Sequence, residues 1–455
     1  MRGTSVLVAG AGLAGLTAAR ELTRKGAAVT IIDARDRVGG RVLTVHDPFL
    51  YGEHAEAGAD LIDESQTEIC KLIAAVGLRT TRILPGGFTA IRQDGTRRRI
   101  GGKRKWEELG KRLQPEVRAF CVSEQRWDGA VADALGRQSV AEWLERIRAP
   151  RPLKEIAAGL RGFFLADPDE LSLLALADQF AEDGAPGSEK MFRIVGGNDR
   201  LPAALAKALG SKVRVRTVLR RITQARAGIT AVLESNGRLD QARFDYLVCA
   251  MPATTTRDVV FEPALPEMQQ LAVSSLKYGG ATKTALQFDS APWRKRGKPR
   301  AFGSALPIGA VWDGNEEQPS RRGRRGGILT LLAGGGASRA TQEMLTSEGP
   351  ARLIREMSWI DFRKTTLLAW STLSWEHEPW SGGGYAFFDT QFPPRLRYHL
   401  ARPFDRIFFA GEHTSLRWQG YMNGAVETGI RAAEEIRLQS IVDSRQSGAR
   451  WPTSV

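Results

Sequence analysis

Three glycines and one acid carry the first chemical message of this 455-residue chain. They stand in Val6-Leu-Val-Ala-Gly10-Ala-Gly12-Leu-Ala-Gly15 and, 23 residues after Gly10, at Asp33. In this spacing Gly10 makes a tight turn, Gly12 lets the backbone approach a pyrophosphate, and Gly15 lets a helix pack closely on a strand. The helix N-terminus attracts phosphate charge, and Asp33 is placed to accept hydrogen bonds from a ribose. The chemistry is dinucleotide binding. A second candidate is Lys283, in Gly280-Ala-Thr-Lys283-Thr-Ala-Leu-Gln-Phe288. A lysine in an otherwise apolar strand is costly unless it is paired or functional, or unless its head snorkels to water.

These residues need elements to hold them. An apolar strand runs into Gly10, and a helix follows with Leu13, Leu16 and Leu22 on one face. Lys25-Gly26 closes the helix, and the strand Ala28-Val-Thr-Ile-Ile delivers Asp33. Segment 106–182 has a helical pattern, with Trp143, Leu144 and Ile147 at helical spacing. Strand signals return at 213–219, 229–234, 244–250 and 281–288. In the middle, Phe192-Arg-Ile-Val-Gly196-Gly197 leads to a helix through Leu209 and a strand from Val213. Residues 314–327 read as a long exposed loop. Near the end, Arg406-Ile-Phe-Phe-Ala-Gly411-Glu412-His413 is a buried strand closing in a glycine turn. Trp418-Gln-Gly420-Tyr421-Met422-Asn-Gly424-Ala425-Val-Glu427-Thr-Gly429 then enters a helix through Ala432, Ala433 and Ile436, whose small residues predict close packing on a sheet. The polar tail after Ile436 is expected to fray.

The run Arg35-Asp-Arg-Val-Gly39-Gly40-Arg41 directly after the acid is not needed for nicotinamide binding and favours FAD over NAD(P). With the middle and C-terminal blocks, it makes the chain resemble the FAD-dependent amine oxidase superfamily, of the flavin monoamine oxidase and polyamine oxidase kind. The resemblance implies FAD held by Gly10, Gly12, Gly15, Asp33, Arg35, Gly40 and Arg41, with Arg41 offering two donors to phosphate oxygens. It implies that the Val218 backbone meets adenine, that Trp375 packs near the flavin, and that Gly411, Glu412, Gly420, Tyr421 and Met422 line the flavin end. The helix starting near Met422 would then stabilise an anionic reduced flavin.

By the same resemblance Lys283 is catalytic, bridged through water to flavin N5, while Tyr385 and Tyr421 flank the substrate amine. The alternative for both tyrosines is a core role with satisfied hydroxyls. Relatives that attach FAD covalently use a cysteine where this chain has Gly384, which implies non-covalent FAD. Amino-acid oxidases of the superfamily bind the substrate carboxylate with an arginine after a glycine turn. The matching segment here is Glu56-Ala-Gly58-Ala59-Asp60-Leu61-Ile62-Asp63-Glu64, with acids and no arginine. Asp60 and Asp63 are thus candidates to attract a cationic amine, or else are solvated turn acids.

The fold class implied is α/β, α+β overall: a Rossmann-like FAD-binding domain interwoven with a substrate domain of mixed sheet and helices. The FAD-binding domain would comprise 1–78, 189–280 and 400–438, the substrate domain 79–188 and 281–399, and 439–455 a disordered polar tail. The reaction implied converts a mono-, di- or polyamine to an imine, then an aldehyde or ketone, as O2 becomes H2O2. Alternatives are an L-amino-acid oxidase, a flavin-dependent dehydrogenase or desaturase with another electron acceptor, and a flavin-stabilised scaffold that binds a polyanion.

Composition bounds these readings. The length suits two domains, and 42% hydrophobic with 25% charged residues is globular. Cys70, Cys121 and Cys249 form no CxxC pair, which fits a reducing compartment such as the cytoplasm; Cys249, in Tyr-Leu-Val-Cys, reads as an inert core thiol. The first strand begins almost at Met1, so no leader is expected, and no apolar run approaches the roughly 20 residues of a membrane span. His46, His54, His377 and His413 have no metal-ligand spacing, so no metal is expected. The net charge of +14 concentrates in 92–112, 292–300 and 321–325, at +6, +5 and +4. No nucleic-acid motif accompanies them, which favours solvated loops over a polyanion surface and makes nucleic acid an unexpected partner. A homodimer is compatible with the sequence.

Overall fold

Val6, Leu7, Val8 and Ala9 carry no polar side-chain atom and are fully buried, so their strand, Ser5–Ala9, takes the centre of a sheet. In the computed structural model, which describes residues 1–94, 97–100, 104–182, 190–318 and 326–448, that sheet has five parallel strands. Their order is Val213–Arg214, Ala28–Ile32, Ser5–Ala9, Tyr246–Cys249 and Ile407–Phe409. Parallel strands bury both faces, which explains their apolar runs. The sheet belongs to one of two compact units, made of Met1–Gly40, Pro202–Ser274 and the chain from Tyr398 onward.

Two helices of this unit pack on each other through glycine. Helix Leu13–Arg24 buries Leu13, Leu16 and Leu22. Helix Met422–Gly448 comes so close that a Cβ at Gly429 would stand 2.4 Å from the Ala14 carbonyl oxygen. The small-residue face thus meets a helix at Gly429, because two helical backbones can approach this closely only without a side chain between them, while the same helix also reaches the sheet as the sequence predicts, Arg431 Nη2 donating to Phe409 O at 2.6 Å. The same helix corrects the expected frayed tail. It runs to Gly448, and Asp443 near its end accepts a 2.6 Å hydrogen bond from the Tyr246 hydroxyl and pairs with Arg406 at 3.1 Å. Residues 449–455 lie outside the described chain.

A second sheet of this unit orders Arg238–Phe244, Gly228–Ser235, Thr217–Ala225 and Val260–Glu262. The strand expected over 213–219 is split in two. Arg216 takes a left-handed conformation, φ 51°, where its N–H donates to Arg35 O and that of Thr217 to Asp33 O. The chain thereby leaves one sheet for the other beside the acid that ends the second strand.

The other unit comprises Arg41–Leu201 and Ser275–Arg397. Its helices bear out the pattern read over 106–182, with Trp143 fully buried among Leu109, Leu113, Leu144 and Leu173. A capping box between Ser139 and Glu142 starts the helix that carries this tryptophan. A seven-stranded sheet orders Leu367–Ser374, Ala281–Phe288, Gly327–Gly334, Ala310–Asp313, Ala301–Gly303, Phe88–Asp94 and Arg97–Ile100. Strand Ala281–Phe288 matches the predicted 281–288 and is buried at every position. A three-stranded sheet of Ile62–Asp63, Met191–Ile194 and Thr80–Ile83 draws residues 41–78 and 190–201 into this unit.

The loop reading of 314–327 needs correction at its start. Asn315 is buried and receives Arg294, Glu316 pairs with Arg300 at 2.5 Å, and Glu317 pairs with Arg193. Arg294 also pairs with Asp313, so two of the cations of 292–300 have internal partners. Residues 319–325 and the side chains of 92–106, which hold most of the other two basic runs, lie outside the described residues. Among those described, no helix is long and apolar enough to cross a membrane.

Candidate functional site

The glycine cradle follows from contact distances in the first unit. Gly10 has φ 105°, and a Cβ there would sit 2.7 Å from Ala250 O. At Gly15 a Cβ would lie 1.9 Å from Gly10 O, whereas at Gly12 it would meet nothing within 4 Å. The open space at Gly12 therefore lies beside a helix start that no side chain caps, where the positive end of the helix favours an anion. The second glycine turn rests on the first: Gly39 N–H donates to Ala11 O, and a Cβ at Gly40 would stand 3.4 Å from Gly12 Cα. Asp33 closes the cradle. It accepts from Ala11 N–H at 2.8 Å and Arg35 N–H at 2.9 Å. Burial pushes its carboxyl up, against those two bonds. This arrangement fits the pyrophosphate and ribose of FAD.

Elsewhere in the same unit, Gly411 (φ 132°) precedes Glu412, a buried carboxylate that accepts from Gly420 N–H at 2.8 Å. Met422 begins the long helix, as predicted. Tyr421 packs edge-on to Trp418 at 5.8 Å. Val218 lies on the strand after the Arg216 kink, opposite Glu234.

The second unit holds the lysine in a buried charge network. Lys283 Nζ donates to Gly58 O at 2.8 Å and to Asp60 Oδ2 at 3.0 Å. Trp312 Nε1 donates to the same oxygen at 3.0 Å, and Arg193 Nε donates to Asp60 Oδ1 at 2.7 Å. Arg193 Nη1 continues to Glu317 at 2.7 Å and Gly314 O at 3.0 Å. Burial alone would raise the Asp60 carboxyl, but the Arg193 and Lys283 cations outweigh it and hold it below its usual range. Burial lowers Lys283, with Asp60 acting in the opposite direction. Glu56 is pushed up to about 8 by burial and by the charge of Asp60, so it is neutral at pH 7. Asn198 N–H and Thr44 Oγ1 donate to it, both at 2.8 Å.

The sequence reading named Lys283 and Asp60, and the structure brings them together. It does not group Asp60 with the neighbouring acids: Glu64 is exposed and pairs with Lys190, while Asp63 is half-buried and receives Gln66. Arg193, Trp312 and Glu317 were missed. Arg193 gave one signal, a cation in the alternating strand Phe192-Arg-Ile-Val; nothing in the sequence pairs Trp312 with Asp60.

Around the lysine strand, Trp375 is buried against Leu165 and Ala281 and donates from Nε1 to Ala57 O at 2.9 Å. Tyr385 packs on the same cluster, its hydroxyl donating to Phe163 O at 2.6 Å. Arg41 Nη1 donates to Gly384 O at 2.9 Å, with its guanidinium 5.3 Å from the Tyr278 ring centroid. A Cβ at Gly384 would lie 2.4 Å from Leu165 Cδ1 and 2.8 Å from Ala281 Cβ. The three cysteines are free thiols, with Cys249 buried and pushed up by that burial.

Comparison with known proteins agrees with this chemistry. The pattern of the flavin containing amine oxidoreductases matches residues 13–437. AofH of Mycobacterium tuberculosis, whose name gives flavin-containing monoamine oxidase as its candidate activity, is 27% identical, covering 95% of this chain and 96% of that protein. Human flavin-containing amine oxidase B is 25% identical over 95% of this chain and 85% of its own. Among solved structures, cyclohexylamine oxidase from Brevibacterium oxydans IH-35A shares the fold at a TM-score of 0.84 and 23% identity, over 96% of this chain and 99% of that one.

The two glycines should fail differently. Gly15→Ala places a methyl against Gly10 O, so both thermal stability and retained FAD should fall. Gly12→Ala has room in the folded chain, so stability should hold while FAD is lost on dilution. Melting curves with flavin absorbance after gel filtration distinguish the two, and equal melting loss in both would refute the assignment.

Proposed function

The chain belongs to the flavin-containing amine oxidoreductase family, and from that premise we propose that it is an FAD-dependent oxidase of a cationic mono-, di- or polyamine. FAD, when bound, would supply the two-electron redox chemistry by which an amine loses a hydride equivalent from its α-carbon and a proton from its nitrogen, so that amine and O2 together become imine and H2O2. The observation that carries this reading is Lys283, an amine buried on the second strand of the seven-stranded sheet and held by Gly58 O and Asp60. Its ammonium supplies a fixed positive charge where electrons pass to oxygen, in surroundings that water does not screen.

The residues then divide by task. Gly10, Gly12, Gly15, Asp33, Arg35 and Gly40 hold the dinucleotide, with Arg41 at its phosphates and the Val218 backbone at its adenine. Gly411, Glu412, Gly420, Tyr421, Met422 and Trp375 serve the flavin end, and Tyr385 with Tyr421 orients the amine. Asp63 is the acid assigned to the substrate; Asp60 is removed from that role because both its oxygens are taken by buried cations and Trp312. The proposed location is the cytoplasm, supported by the three free thiols.

Non-covalent FAD is proposed because position 384 has neither a thiol nor space for one. Acid precipitation should therefore leave the yellow flavin in the supernatant, and flavin retained on the denatured chain would reject it. Amines should reduce the flavin faster than amino acids, given the acids and missing arginine of 56–64. A panel pairing each L-amino acid with its decarboxylated amine tests this, and preference for the acid would point to an amino-acid oxidase. Lys283→Met should slow reoxidation of reduced enzyme by oxygen at least about tenfold, some 1.4 kcal/mol of barrier, while anaerobic reduction by a good amine changes much less. Stopped-flow on each half-reaction decides it, and unchanged reoxidation would make Lys283 structural.

A further inference from the structure

Asp60 accepts from three donors on two oxygens, and each donor comes from a different part of the second unit. Lys283 belongs to strand Ala281–Phe288, Arg193 to Met191–Ile194 and Trp312 to Ala310–Asp313. Lys283 and Trp312 share Oδ2, at 3.0 Å each, while Arg193 takes Oδ1 at 2.7 Å. The ammonium also lies 5.2 Å from the centroid of the Trp312 ring. We infer that Asp60 is the positioning residue of Lys283: it keeps that amine charged and aimed, and Arg193 with Trp312 keeps Asp60 in place.

The turn that presents Asp60 is itself over-determined. A Cβ at Gly58 would fall 2.0 Å from Arg41 O, so the backbone is pressed against its neighbour there, with the Gly58 carbonyl on the lysine. Asn198 Nδ2 donates to Ala59 O at 3.1 Å and to Asp60 O at 2.7 Å. A carboxylate fixed on both its backbone and its side chain gives the ammonium one position. Without Asp60, Lys283 would keep Gly58 O and the Trp312 ring but no anion, with the like charge of Arg193 nearby. A buried amine in such surroundings sheds its proton.

The charged groups acting on the ammonium are Asp60 and Glu56 from the 56–60 segment and Arg193 from its strand, and Arg193 is paired in turn with Glu317. With Glu56 neutral, the two cations Lys283 and Arg193 balance the two anions Asp60 and Glu317. Removing Asp60 breaks that balance, and deprotonating Lys283 restores it. This assignment deepens the proposed oxidase reading, which gives the ammonium its role, but the ion pair itself can be tested without turnover.

The test combines folding with pH. Asp60→Asn, Lys283→Met and the double variant are unfolded in urea as holoenzymes at pH 7. The losses of the two single variants should exceed that of the double by at least tenfold in the unfolding constant, because each single change strands a buried charge. Additive losses would overturn the assignment whatever the kinetics. Reoxidation by oxygen is then followed from pH 6 to 9. Asp60→Asn should be at least tenfold slow near neutrality and recover as pH falls and Lys283 regains its proton, whereas Lys283→Met should show no such recovery. The recovery should persist with Glu56→Gln added, which assigns the titration to the lysine. Coupled unfolding with normal reoxidation in Lys283→Met would keep the positioning role and reject the oxygen role of the lysine. A slow Asp60→Asn that no acid rescues would make Asp60 merely structural.

Discussion

A positive charge can stay in a dry interior only if an anion is fixed beside it, and that anion needs its own partners. Position 283 starts such a chain. The lysine requires Asp60, Asp60 is shared with Arg193 and Trp312, and Arg193 leads to Glu317. Every link joins segments remote in sequence, so this unit must bring a turn near residue 58, a strand at 193, another at 283 and a third at 312 to one place. Ion pairs of this kind add little stability over an apolar core of the same shape. They fix where charges stand.

The dinucleotide unit solves its problem by the opposite means. Its anchors are backbone groups made accessible by missing side chains: Gly10 for the turn, Gly12 for open space, Gly15 and Gly429 for helix contacts under 2.5 Å to a would-be Cβ. Among the described residues its buried carboxylates are Asp33 and Glu412, and each is met by backbone N–H groups. A site built on backbone geometry leaves its signature in glycine spacing. A site built on ion pairs leaves none until the fold is known.

That difference explains what could be read in advance. The cradle, the first helix with its buried leucines and the eight-residue lysine strand follow from local spacing and apolar runs, and the structure reproduces them. The partners of the lysine do not, because pairing depends on register across sheets. Arg193 and Trp312 carry no local mark of their role. Polarity also misled where distant anchors intervene. The stretch after Ile436 is polar, yet Tyr246 and Arg406 hold Asp443 and the helix continues; Glu316 and Glu317 look like loop residues but neutralise arginines. Arg216 broke a predicted strand since one left-handed residue moves the chain between sheets.

Glu56 shows how far the constraint reaches. It sits four residues before Asp60 in a fully buried setting, and two ionised carboxylates there would outnumber what Lys283 and Arg193 can balance once Glu317 is counted. Burial and the charge of Asp60 together push it up to about 8, so it keeps its proton at neutral pH. Its role is then that of a hydrogen-bonding strut. It accepts from Asn198 N–H and Thr44 Oγ1, and the Asn198 side chain in turn holds the carbonyls of Ala59 and Asp60. The turn that carries the anion for the lysine is therefore supported by an acid that must stay neutral. One carboxyl supplies the charge and the other supplies the geometry, although the two are of the same chemical kind.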